Sequence, residues 1–203
     1  MSKIRVLLAD DHAIMRIGLS ALINGEPDME VIGNAGTGNE AVRLAIERKA
    51  DVVLMDLMMP ELSGADATAL LHRQRPETRI LVLTSFGDSS ELVAAIRNGA
   101  SGVILKDTDT DDLLASIRAV HDGKAILPDG LLPDQTGEPS LTERQKEILT
   151  SVTKGFSNPE IARQFHISVI GVKKHLQAIF VKLGASSRSE AVAIALRKHL
   201  LKI

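Results

Sequence analysis

Two hydrophobic rhythms alternate through the first 124 residues. Short, mainly apolar runs at 4–9, 30–35, 52–55, 80–84 and 102–105 have the length and β-branched content of buried strands. Between them, apolar residues recur every three or four positions at 13–23, 40–49, 65–73, 91–98 and 111–121, the spacing of helices with one buried face. Gly25 and Pro27 close the first of these helices and Gly99 the fourth. Five strand-helix units in succession predict an α/β fold: a doubly wound, flavodoxin-like (βα)5 parallel sheet with helices on both faces.

The rhythm then stops. Residues 122–140, DGKAILPDGLLPDQTGEPS, hold three Pro and three Gly without periodicity. Beyond them no strand pattern returns. Helix starts are written as capping boxes at Thr142 with Gln145, Ser157 with Glu160 and Ser187 with Glu190, and Ser168 opens a further helix without an acidic partner. The expected organisation is a first domain over 1–124, a linker over 125–139, and an all-α domain of four short helices over 140–203.

Charge supports this division. Acids exceed bases by six in 1–124 and by three in 125–139, whereas bases exceed acids by seven in 140–203. An acidic front joined to a basic tail points to a polyanionic partner for the tail. The chain has no Cys, which excludes disulfides, thiolate metal sites and thiol nucleophiles. With four Phe and no Trp or Tyr, aliphatic side chains must fill the cores. No signal-peptide pattern or membrane-length apolar run is visible, so the expected address is the cytoplasm, with no membrane partner.

Candidate chemistry gathers at the strand ends. Asp10 and Asp11 follow the first strand, Asp56 ends the third, Thr84 the fourth, and Lys106 follows the fifth. In a parallel sheet all five meet at one edge, where ligands of such folds bind. Three carboxylates there repel one another, and a divalent cation relieves the repulsion. Oxygen donors without sulfur favour Mg²⁺. A carboxylate beside a metal, a hydroxyl and an ammonium can attack phosphorus while the other groups share the charge on the equatorial oxygens.

This pattern resembles the receiver domain of bacterial two-component response regulators, over residues 3 to about 122. The resemblance implies that Asp56 accepts a phosphoryl group from a sensor histidine kinase. It also implies Mg²⁺ held by Asp11, Asp56 and the backbone carbonyl of Met58, with Asp10 acting through water, and Thr84 and Lys106 as the residues that sense the phosphoryl group. One position departs from the family: Val103 stands where a Tyr or Phe usually moves with the threonine, so Phe86 or a backbone movement would have to report the change. Haloacid-dehalogenase-type phosphatases share a strand-end Asp, but place a second acid two residues later. That position is Met58, which can neither give nor take a proton. A switch is therefore expected, not an enzyme.

In the basic tail, Val172, Leu176, Ile179 and Leu183 form one stripe of the third helix, and Ile170, Lys173, Lys174, Gln177 and Val181 lie opposite. Two short helices, a tight "HIS" turn and a basic outward helix make a helix-turn-helix. The segments LTERQKEIL, GFSNPEIARQFHIS, VKKH and KLGASSRSEA resemble the LuxR-type DNA-binding domain of NarL/FixJ response regulators. The resemblance implies contacts to double-stranded DNA by Lys173, Lys174 and Gln177, and a last helix from Ser187 to about Lys198 that pairs two protomers into a homodimer. Gly171 replaces the family's usual Thr, removing a phosphate contact. The expected function is a transcription regulator controlled by phosphorylation of Asp56. The alternatives are a constitutive DNA-binding regulator with a non-switching receiver, or an aspartyl-phosphate phosphatase.

Overall fold

The computed structural model describes residues 3–84, 89–127, 141–185, 187–198 and 200–201. These form two compact units.

Over residues 4–121, strands β1 (Ile4–Ala9), β2 (Met29–Ala35), β3 (Val52–Asp56), β4 (Arg79–Thr84) and β5 (Gly102–Leu105) alternate with helices α1 (Ala13–Asn24), α2 (Gly38–Glu47), α3 (Gly64–Gln74), α4 (Ser89–Arg97) and α5 (Thr110–His121). All neighbouring strands are parallel, in the order β2-β1-β3-β4-β5. The doubly wound expectation holds. Val6, Leu8, Leu54, Leu81 and Ile104 pack on one face against Ile23 of α1 and Leu113, Leu114 and Ile117 of α5. The alternate residues Leu7, Val53, Met55 and Val82 are buried on the other face. With each such side chain contributing about 1.5–3 kcal/mol on burial, the sheet interior tolerates no polar residue without a partner. Polar chemistry is confined to the strand ends.

The unit runs two residues past the expected boundary at 124. Ile126 forms a parallel bridge with Gly102, accepting a hydrogen bond from Val103 N at 2.7 Å and donating its own N–H to Ser101 at 3.1 Å. This short β-ladder, invisible to periodicity, extends the edge of β5. Of the linker expected over 125–139, only 125–127 belong to the described residues.

The second unit comprises α6 (Glu143–Thr153), α7 (Asn158–Phe165), α8 (Val169–Leu183) and α9 (Arg188–Arg197). Local chemistry sets each start. The Thr142–Gln145 capping box is complete. Glu160 accepts from the Ser157 N–H at 2.7 Å, and Ser168 and Ser187 accept from the amides of Gly171 and Glu190. Ile148, Leu149, Ile161, Val172, Leu176, Ile179 and Ala191 share one aliphatic core. No helix among the described residues is long and apolar enough to cross a membrane.

Candidate functional site

The parallel order brings β1 and β3 side by side, with β2 on the far side of β1, so a crevice opens where they end. Asp10 continues β1 and Asp56 closes β3; Thr84 ends β4, and Lys106 follows β5 with its amide donating to the Thr84 carbonyl at 2.9 Å. The loop after Asp56 turns back at once. A Cβ on Gly64 would lie 2.0 Å from the Asp56 carbonyl oxygen and 2.8 Å from Leu57 Cα, so only glycine lets α3 begin there. Gly64 N donates to Leu57 O at 2.9 Å, and Ser63 caps α3 through the Asp66 amide.

Four of the five expected strand-end residues, Asp10, Asp11, Asp56 and Lys106, converge, and Thr84 ends the strand beside that of Asp56. Asp10 and Asp56 are almost fully buried, at 1% and 2% exposure. The Lys106 ammonium donates to Asp10 Oδ2 at 2.9 Å and to Asp56 Oδ2 at 2.8 Å, bridging the two. Asp10 Oδ1 accepts from the His12 amide at 2.8 Å, and Arg16 donates to the Asp10 carbonyl. Asp11, by contrast, is open to solvent beside the buried pair. Met58 is exposed, and its N–H donates to the Asp56 carboxylate.

Burial pushes the Asp56 carboxyl above its ordinary range, although the Lys106 hydrogen bond and charge pull it down. Burial lowers Lys106, but the hydrogen bonds and charges of Asp56 and Asp10 outweigh it and hold the ammonium above the usual lysine value. One ammonium cannot offset three carboxylates. Oxygens of Asp10, Asp11 and Asp56 and a ring nitrogen of His12 all lie within 4.8 Å of one another. That donor set, hard oxygens with excess negative charge, fits a small divalent cation.

Three contributors escaped the sequence reading. His12 reaches the acidic group, Arg16 ties down the Asp10 backbone, and Gly64 lets the loop close on Asp56. Only His12 had a visible signal, its position directly after two strand-end acids. Val103 is buried in β5. Phe86 lies outside the described residues.

In the helical unit, His166 takes the left-handed conformation (φ 54°) that turns α7 into α8. Arg144 locks α6 to this corner, stacking on Phe165 at 4.3 Å and donating to its carbonyl at 2.9 Å. On α8, Lys174 is exposed and Lys173 half-buried. Gln177 departs from the expected outward face: it is 7% exposed. Every residue from 176 to 180 is buried, so the middle of α8, which packs against α6, α7 and α9, has no single wet side. The two lysines precede this covered stretch. On α9, Ala191, Ile194 and Ala195 face the core and Leu196 is exposed.

Comparison with known proteins gives matching results for both units. Residues 6–118 match the response regulator receiver domain, and residues 139–195 the luxR family of bacterial regulatory proteins. The oxygen regulatory protein NreC of Staphylococcus aureus is 40% identical over 98% of this chain and 99% of its own length. The response regulator protein VraR of Staphylococcus epidermidis is 34% identical over the same shares. The crystal structure of the response regulator ChrA, from a haem-sensing two-component system, aligns with a TM-score of 0.56 and 30% identity. That alignment covers 99% of this chain and all of that one.

Proposed function

Because this chain belongs to the response regulators that join a receiver domain to a LuxR-type DNA-binding domain, we propose that Asp56 is its phosphoryl acceptor and that phosphorylation by a sensor histidine kinase governs its binding to DNA. The observation that carries this reading is the buried Asp56 carboxylate, bridged by Lys106 to Asp10 at the open edge of the sheet.

In the transfer, an Asp56 oxygen forms a bond to phosphorus as the bond from phosphorus to the donor's imidazole nitrogen breaks. The imidazole keeps that electron pair. Lys106 already lies against the acceptor oxygen and can follow the negative charge onto the phosphoryl oxygens. Thr84, at the end of the adjacent strand, supplies a hydroxyl to the same group. Asp11, Asp56 and the Met58 carbonyl would hold Mg²⁺, with Asp10 supporting through water. Bound there, the ion would supply positive charge to offset that of the phosphoryl oxygens. Met58 offers no acid or base to activate water, which favours a persistent acyl phosphate over turnover.

The helical unit supplies the output. Lys173 and Lys174, near the start of α8, would make the phosphate or base contacts of a second helix lying in the major groove, a reading supported by the exposure of Lys174. Phosphorylation shifts the population toward a form that dimerises through α9 and addresses two half-sites. Kinase and DNA then share one compartment, the cytoplasm. The domains of this reading are 1–124, extended to Ile126 by its bridge, and 140–203.

Intact mass after incubation with a small acyl phosphate, with and without Mg²⁺, tests the proposal. One Mg²⁺-dependent phosphate adduct is expected, absent from Asp56→Asn. An adduct retained by that variant places the chemistry elsewhere. Val103, an aliphatic residue at the switching position, favours a second reading, in which DNA binding is constitutive. Equal DNA affinity before and after phosphorylation would select it.

A further inference from the structure

His12 occupies the N-cap of α1, a position where Ser, Thr, Asp or Asn usually satisfies a free helix amide. Its side chain makes no such cap bond. The backbone, extended at φ −82° and ψ 105°, carries the ring to the acidic edge instead. There Nδ1 sits 2.6 Å from Asp11 Oδ1 and 3.1 Å from Asp10 Oδ1. It shares a 4.8 Å cluster with oxygens of Asp10, Asp11 and Asp56.

We propose that Nδ1 of His12 is a direct ligand of the receiver's divalent cation, so that this pocket prefers a first-row transition ion such as Mn²⁺ over Mg²⁺. The inference rests on the reading of the acidic edge as a cation site and adds a fourth protein donor to it. Mg²⁺ takes oxygen ligands almost exclusively and holds its waters firmly, and it gains little from an imidazole. Mn²⁺, Co²⁺, Ni²⁺ and Zn²⁺ accept imidazole nitrogen readily, with affinity rising along that series as far as nickel. The N-terminus of α1 opposes any cation with roughly half a positive charge. Three carboxylates outweigh it. The ring is largely open to solvent, its side chain 71% exposed, so it can rotate the short distance needed to exchange an Asp11 contact for a metal bond, its proton passing from Nδ1 to Nε2 through water.

Pulsed electron paramagnetic resonance on the full chain, stripped with chelator and loaded with Mn²⁺, reads the ligand set directly. Wild type should show the modulation of one imidazole nitrogen, shifted by ¹⁵N-histidine labelling and lost in His12→Ala. Titrations should show Mn²⁺ affinity falling at least about tenfold in that variant, the loss typical of a metal-site partner, while Mg²⁺ affinity holds. Bound Mn²⁺ without nitrogen modulation, or modulation that survives His12→Ala, overturns the assignment and leaves the cation site standing. Failure of Mn²⁺ and Mg²⁺ alike to bind wild type, with no difference from Asp56→Asn, removes the cation site and the inference with it.

Discussion

Lys106→Met isolates the charge balance of the receiver pocket. Methionine keeps most of the aliphatic stem and removes the ammonium 2.8 Å from Asp56 and 2.9 Å from Asp10, both buried. At an effective dielectric constant of 20, one such contact corresponds to about 6 kcal/mol of raw Coulomb energy, most of it offset by desolvation. Breaking a buried pair by removing one partner costs about 3–5 kcal/mol. The pocket has an escape, because one proton shared by Asp10 and Asp56 relieves their repulsion. At pH 7 that proton costs about 4 kcal/mol for a carboxyl of ordinary pKa near 3.9, which caps the loss. At pH 5 the cap falls to about 1.5 kcal/mol. The sign follows from proton counting. A carboxyl raised in the folded state binds more protons folded than unfolded, so stability falls as pH rises from the unfolded value toward the folded one. Wild type already leans this way through burial of Asp56, and loss of the lysine steepens the slope. Denaturant unfolding followed by circular dichroism, in chelator, suits a chain without Trp or Tyr. The expected loss is about 3–4 kcal/mol at pH 7, shrinking to about 1.5 kcal/mol or less at pH 5. An equal loss at both pH values, or one below about 1 kcal/mol at pH 7, would refute Lys106 as the counter-charge.

Gly64→Ala forces a Cβ to within 2.0 Å of the Asp56 carbonyl, so the receiver should lose at least about 1–3 kcal/mol and phosphorylate more slowly; wild-type unfolding and adduct rates would disprove the steric account. Gly171→Ala meets nothing closer than Ser168 Oγ at 3.4 Å and should stabilise the helical unit by about 0.4–1 kcal/mol, read as a raised melting temperature; a lower one would mean that the first turn of α8 needs glycine. Lys173→Ala and Lys174→Ala should each reduce the slope of log K for DNA against log salt by about 0.9, and an unchanged slope removes that lysine from the interface. Gln177→Ala should leave that slope unaltered, because the residue is uncharged.

Local signals made most of the fold legible. Apolar runs located all five strands, and Thr142 and Ser168 marked helix starts that the side chains then cap. The pocket was legible because chemistry at strand ends is set by topology: once β1 and β3 are parallel neighbours, Asp10 and Asp56 must meet. What escaped depends on depth and on close approach. Asp10 and Asp11 read alike in the sequence, yet one is buried beneath Lys106 and the other faces solvent. Gly64 reads as an ordinary turn residue until the Asp56 carbonyl is found where its side chain would be. Gln177 followed from a helical wheel with one dry face, an assumption that fails in the middle of a helix packed on three others. The bridge at Ile126 involves one residue and leaves no periodicity to detect.

The strand order also bears on how the chain is made. β1 leaves the ribosome before the other strands of its sheet, yet one of its two hydrogen-bonded neighbours is β3, beginning at Val52. At roughly 5–20 residues per second, several seconds pass between synthesis of the two strands. Throughout that interval one edge of an almost wholly apolar strand stays unpaired, an invitation to aggregation or to a chaperone. The helical unit has no such debt. Each of its helices closes its own backbone hydrogen bonds as it forms, so none waits with an open edge for a distant partner.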